Sequence, residues 1–134
     1  SILVVEDNPD HALLVRLAAE RVDPTLDVVT CVDGREAVDL LMAAGPSDDG
    51  VLDDVPDLVL LDLIMPRLDG FAFLEWVRAQ PAFGGLPVVV LSSSISPLDE
   101  ARALRLGASA FHTKPANHED LGEQVRSIVK RWLT

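Results

Sequence analysis

Four apolar runs in this chain end on side chains that could do chemistry. Ile2-Leu3-Val4-Val5 ends in Glu6-Asp7, and Leu58-Val59-Leu60-Leu61 ends in Asp62. Val88-Val89-Val90-Leu91 ends in Ser92, and a shorter run from Ala110 to Thr113 ends in Lys114-Pro115. Short apolar runs of this kind read as buried strands. In an open parallel sheet the C-terminal strand ends converge on one edge, where ligands bind. Three carboxylates, a hydroxyl and an ammonium on that edge suit a divalent metal plus one phosphoryl group. The carboxylates are ligands for a hard cation. The hydroxyl and the ammonium are donors to phosphoryl oxygens.

The elements that must position these groups alternate along the chain. After the first strand, Asp10 to Val22 reads as a helix with Leu13, Leu14, Leu17 and Ala18 on one stripe. Asp23-Pro24 stops it, and Leu26 to Val32 is a second, more polar strand suited to a sheet edge. Asp33-Gly34 turns the chain into a second helix, Arg35 to Ala43, with Ala37, Val38, Leu41 and Met42 inward. A long acidic loop, Gly45 to Val55, precedes the third strand, Leu58 to Asp62. Asp69 caps a third helix running to Gln80, with Phe71, Leu74 and Val77 apolar. Leu86 to Ser92 is the fourth strand, and Pro97 begins a fourth helix that Gly107 ends. Ala110 to Thr113 is the fifth strand, and Asn117 caps a last helix. Five βα units with short links predict an α/β fold with a doubly wound five-stranded parallel sheet.

A length of 134 residues fits a single domain, 1–134, with no output domain, and 49% hydrophobic residues suffice for a full core. The net charge of −11 argues against a nucleic-acid partner and against anionic membrane surfaces. It favours metal cations and basic protein patches. No apolar run is long enough to span a membrane. The one cysteine, Cys31, excludes an internal disulfide and suits a reducing cytoplasm.

Taken in order, the motifs resemble a response-regulator receiver domain across essentially the whole chain. They are Val4-Val5-Glu6-Asp7-Asn8, Leu60-Leu61-Asp62-Leu63-Ile64-Met65-Pro66 with Asp69-Gly70, Val90-Leu91-Ser92-Ser93, Gly107-Ala108 and Lys114-Pro115. The resemblance implies a flavodoxin-like sheet in the order 2-1-3-4-5. It implies that Asp62 accepts a phosphoryl group from a sensor histidine kinase in two-component signalling, switching protein–protein association. Asp7 and Asp62 then ligate Mg²⁺ (or Mn²⁺) directly, Glu6 acts through water, and the Ile64 main-chain carbonyl completes the protein ligands. Ser92 donates to a phosphoryl oxygen. Lys114 pairs with the carboxylate at rest and with the phosphoryl group afterwards, aimed inward by a cis bond to Pro115. Phe111 takes the place of the family's switch aromatic. Ile64 and Ser94 flank the approach of a hydrolytic water, so a long-lived phosphorylated form is expected.

A narrower resemblance, to the single-domain regulators paired with bacterial and cyanobacterial phytochromes, rests on Glu6-Asp7-Asn8-Pro9-Asp10, the long insertion before strand three, Leu91-Ser92-Ser93-Ser94, Lys114-Pro115-Ala116-Asn117 and Trp132-Leu133. It implies a bacteriophytochrome-like kinase partner and a homodimer. Leu121, Val125, Ile128, Val129 and Trp132 on the last helix are the candidate dimer residues, being more apolar side chains than one sheet face requires.

Other functions fit less well. A flavodoxin-like ligand binder cradles phosphate in Gly/Ser/Thr loops, whereas Glu6-Asp7-Asn8-Pro9-Asp10 repels it unless a cation intervenes. A haloacid-dehalogenase-like phosphatase needs an acid two residues after its nucleophile, where this chain has Ile64. A phosphorylation-independent pseudo-receiver would show losses at the acceptor, acidic-pair or lysine positions, and none is lost. His112 and His118 read as structural or surface residues, and His11 as an exposed helix residue. Asp48, Asp49, Asp53 and Asp54 lack the spacing of a calcium loop and read as solvated.

Overall fold

The computed structural model describes residues 1–44, 55–65 and 68–133. Pro66 and the acidic loop carrying Asp48, Asp49, Asp53 and Asp54 lie outside the described residues. The strands are β1 (Ile2–Val5), β2 (Val28–Cys31), β3 (Leu58–Leu61), β4 (Val88–Ser92) and β5 (Ala110–Thr113). The helices are α1 (Pro9–Val22), α2 (Gly34–Ala43), α3 (Gly70–Ala79), α4 (Pro97–Arg105) and α5 (His118–Leu133), with a short 3₁₀ turn over Pro81–Phe83. All strand pairs are parallel, in the order β2-β1-β3-β4-β5. The strand order and the five βα units are therefore those expected from the sequence, and β2 is indeed an edge.

The alternation of side chains along each strand divides the core between two layers. Leu3, Val5, Val59, Leu61, Val88 and Val90 belong to one apolar cluster, which α2, α3 and α4 help to close. Ile2, Val4, Leu58, Leu60, Val89 and Leu91 belong to the other, which α1 and α5 cover. A strand buried on both faces has room for polar groups only at its ends.

Helix starts follow the capping chemistry. Asn8 accepts from the Asp10 amide at 2.9 Å, with Pro9 at the first helical position. Asp33 accepts from Glu36 N, Asp69 from Ala72 N and Asn117 from Glu119 N.

Three buried faces differ from expectation. On α1 the sheet-facing residues are Val15, Ala18 and Ala19, while Leu13 and Leu17 are exposed. The helix packs against both the sheet and α5, so its buried face is set by two neighbours, and small alanines let it sit close. Met42 is exposed, because Ala37, Val38 and Leu41 already fill the α2 contact. On α5, Leu121, Val125, Ile128 and Val129 are 4% exposed or less, packed on the sheet with α1. Trp132 is half-buried against the same cluster. The surplus of apolar residues on α5 is thus used within the chain, and these side chains offer no exposed dimer patch. The Lys114–Pro115 bond is trans, no cis peptide being present among the described residues. From a trans bond the lysine already reaches inward across the sheet edge, so no isomer of higher energy is needed.

Gly70 is required by close approach. A Cβ there would lie 2.3 Å from the Asp62 carbonyl oxygen and 2.6 Å from Leu63 Cα. Alanine is the better helix former by about 1 kcal/mol, but the contact is with backbone and cannot yield without moving Asp62. Gly70→Ala is therefore expected to destabilise the protein by about 1–3 kcal/mol, read as a lower midpoint in urea unfolding.

Candidate functional site

The register of the central strands builds the site. Val5 lies opposite Leu61 in the β1–β3 ladder, so Glu6 and Asp62 leave the sheet side by side. The ladder runs on past the strand ends, with Asp62 N donating to Val5 O at 3.0 Å and Glu6 N to Cys31 O at 2.9 Å. At the other side, Lys114 N donates to Ser92 O at 2.8 Å. These bonds fix the backbone beneath each functional side chain.

Glu6, Asp7 and Asp62 each bring one carboxylate oxygen within 4.8 Å of the others. Glu6 and Asp62 are buried and Asp7 is exposed. Lys114 extends from the end of β5, its side chain only 7% exposed, and donates to Glu6 Oε1 at 2.6 Å. It also lies 3.6 Å from Asp62 Oδ2. Ile64 is exposed beside the Asp62 carboxylate, with its amide 3.4 Å from Asp62 Oδ1. Ser92 is fully buried, and its Oγ accepts from Ser94 N at 3.3 Å. Phe111 is half-buried, packed against the cluster beneath α2, α3 and α4. The structure thus joins Glu6, Asp7, Asp62 and Lys114 in one group, with Ile64 at its edge.

Sequence reasoning missed His11. Its place on a helix predicts exposure, yet it is half-buried with Nδ1 3.1 Å from Glu6 Oε1 and 3.2 Å from Lys114 Nζ. One nitrogen cannot serve both partners at once. As an N–H it donates to Glu6, and as a lone pair it accepts from Lys114. Burial holds the His11 pKa below its ordinary value, with the nearby Lys114 charge acting the same way. His118 stands edge-on to it, ring centroids 5.9 Å apart. The available signal was positional: a side chain in the first turn after a strand end lies over that strand end. Asp99 has the corresponding place in the first turn of α4, after the end of β4, and receives a 2.5 Å hydrogen bond from Ser94 Oγ.

Burial pushes the Glu6 carboxyl up to about 8, and proximity to Asp62 adds to the effect that Lys114 opposes. Three carboxylates facing one lysine leave the group short of positive charge. A divalent cation fits the residues present. Their oxygens already converge, and Glu6 Oε2 is buried without a hydrogen-bond partner.

Comparison with known proteins places this geometry. Residues 2–126 match the response regulator receiver domain. The chain belongs to that family. Receiver domains are phospho-accepting switches that pair with histidine kinases and bind divalent metal. Among curated relatives, the probable methanogenesis regulatory protein FilR2 of Methanothrix harundinacea is 36% identical over 132 residues, covering 98% of this chain and 83% of that one. The chain spans half or less of the length of other curated relatives that it matches. Among solved structures, the phosphorylated cyanobacterial phytochrome response regulator RcpA superposes with a TM-score of 0.89 at 35% identity, over 99% of this chain and 93% of that one. The Mn²⁺-bound form of response regulator Rcp1 gives 0.82 at 30%, over 98% and 93%. No described helix of this receiver domain is long and apolar enough to cross a membrane.

The raised Glu6 pKa fixes the sign of two pH effects. Between its ordinary value near 4.5 and about 8, the folded metal-free protein holds a proton that the unfolded chain releases. Its stability from this group is therefore present at low pH and falls as pH rises through that window. Metal binding must displace the same proton and runs the opposite way. Mn²⁺ or Mg²⁺ affinity, measured by calorimetry, is expected to rise from about pH 5.5 to about pH 8.5 with proton release to the buffer. Glu6→Gln is expected to flatten that dependence.

Proposed function

We propose that this receiver domain is the phospho-accepting switch of a two-component system, with Asp62 as the acceptor. The observation that carries the reading is the position of the Asp62 carboxylate, buried between two acidic neighbours and 3.6 Å from the Lys114 ammonium. An Asp62 oxygen attacks the phosphorus of a phosphohistidine. The O–P bond forms, the P–N bond breaks, and the electron pair stays on the departing imidazole nitrogen. In such a transfer the protein supplies position and charge. Lys114 shifts from carboxylate to phosphoryl oxygen, and the Ser92 hydroxyl donates to another. Asp7 and Asp62 would hold Mg²⁺ or Mn²⁺ directly, with Glu6 through water and the Ile64 carbonyl. That ion, when bound, supplies positive charge to the phosphoryl oxygens.

The conformational consequence belongs to Ser92 and Phe111: as the hydroxyl moves toward the phosphoryl group, the aromatic follows into the vacated space. The output is a change in protein–protein association, a second copy of the chain being one partner. With the α5 side chains buried, association falls to other surfaces. Ile95 and Leu98, at 86% and 81% exposed, lie beside the site at the start of α4. The domain acts in the cytoplasm as a switch, with no turnover of an external substrate. Its likeness to RcpA, itself a phytochrome response regulator, supports a phytochrome-type histidine kinase as the donor. The motifs around Glu6-Asp7-Asn8-Pro9-Asp10 and Lys114-Pro115-Ala116-Asn117 point the same way.

Incubation with acetyl phosphate and Mg²⁺ should add one phosphoryl group to the intact mass. Asp62→Asn should abolish the adduct; an adduct that persists in that variant overturns the assignment.

The lifetime of the adduct should be long. Ile64 stands exposed at the mouth of the site and cannot orient a water. The Ser94 hydroxyl already donates its proton to Asp99. Ile64→Asn or Ile64→Glu is expected to speed loss of label after donor removal. Equal lifetimes in parent and both variants would show that Ile64 does not control the rate.

A further inference from the structure

Ser94 is the meeting point of four hydrogen bonds that reach three elements. Its N–H donates to Ser92 Oγ at 3.3 Å. Its Oγ donates to Asp99 Oδ2 at 2.5 Å and accepts from Ser96 N at 3.2 Å. Its carbonyl accepts from Thr113 Oγ1, on β5, at 3.3 Å. Asp99 stands in the first turn of α4, where no side chain caps the helix at Ser96. The acceptor at the far end of this chain of bonds, Ser92 Oγ, belongs to a side chain with no exposed surface.

The geometry assigns Asp99 as a positioning residue for phosphoryl transfer, acting through Ser94 on the Ser92 hydroxyl. A hydroxyl has one proton and two lone pairs. With one lone pair occupied by the Ser94 N–H, the orientations left to the Ser92 O–H are fewer, and its proton is free for an incoming oxygen. That restriction is only as firm as Ser94 itself. Ser94 is held from outside by the charge-assisted bond to Asp99, the shortest contact in the relay and of the stronger class. Without Asp99 the Ser94 hydroxyl loses its acceptor, the backbone at 94 loosens, and the Ser92 donor is no longer preset. A misplaced donor weakens a step whose catalysis is mostly position.

The inference rests on the proposed acceptance of a phosphoryl group at Asp62. It is tested by rates of adduct formation with acetyl phosphate at saturating Mg²⁺, followed by intact mass. Asp99→Ala should slow the saturated rate by about tenfold while leaving half-saturation by the donor unchanged, as expected for lost positioning rather than lost binding. Ser94→Ala should do the same, and the double variant should be no slower than either single one. Asp99→Asn retains an oxygen that can accept from Ser94, though without the charge, and should give a rate between those of the Ala variant and the parent. A purely structural role as a negative charge at the start of α4 would make Asn as damaging as Ala. In a Ser92→Ala background, Asp99→Ala should have no further effect on the rate. Equal rates for parent and Asp99→Ala would overturn the inference. Additive effects of the Ser94 and Asp99 changes, or an Asn variant as slow as Ala, would do so too. A parent that takes up no phosphoryl group at all would instead overturn the acceptor reading beneath it, and with it this one.

Discussion

The hydrogen bond from Lys114 to Glu6 holds the functional edge of this protein together. It is 2.6 Å long, and its side chains are 5% and 7% exposed. It joins residues 108 positions apart, one from the end of the first strand and one from the end of the last. Burying an ammonium costs several kcal/mol, which attraction to carboxyl groups offsets only in good geometry with further partners. Here the further partners are Asp62 and His11, and they do not balance. One lysine faces three carboxylates. The fold therefore presents an edge where negative charge is compensated in part, by a proton on Glu6 or by an external cation. That shortfall suits the site to a divalent cation, and in the proposed function it would let the Lys114 contact exchange between Asp62 and a phosphoryl oxygen.

The architecture explains why these charges gather at the ends of the central strands. The central strands present apolar side chains to helices on both faces, alternately to the two clusters. No polar group fits along their length without losing its water. Only where the ladder ends does the chain turn toward solvent, and parallel strands all end on the same edge. The ladder bonds from Asp62 N, Glu6 N and Lys114 N carry backbone order one residue past each strand. Gly70 lets α3 begin in contact with the acceptor backbone.

The strand ends were legible because both of their signals are local: an apolar run and the polar residue that stops it. The fold class followed from the alternation of such runs with helical segments. The buried faces of the helices were less legible, since a 3.6-residue stripe tells which residues can be buried together and not which neighbours compete for them. Leu13 and Leu17 form a stripe as regular as Val15 and Ala18, but α5 and the sheet between them choose the latter. The same competition reversed the reading of α5, whose apolar surplus is absorbed by α1. His11 illustrates another limit. Its type suggests little by itself, and its contact with Lys114 depends on the meeting of α1 with the end of β5, 103 residues away. Long-range pairings of this kind leave no periodic trace in a sequence.

Two routes lead outward from Asp62, the proposed acceptor, and they differ in physical character. Through Lys114 the coupling is electrostatic: a point charge with three rotatable donors tolerates changes of partner and transmits little direction. Through Ser92 it is geometric. A buried hydroxyl with one lone pair already occupied can follow an incoming oxygen only if the amide of Ser94 yields or moves with it. Ser94 is bonded in turn to the first turn of α4 and to β5. A displacement of Ser92 of the kind proposed would thus reach the segment carrying Ile95 and Leu98, the most exposed large apolar side chains among the described residues. In the proposed phosphorylated state, charge exchange would supply stability, and the hydroxyl relay would give that state a shape at the surface.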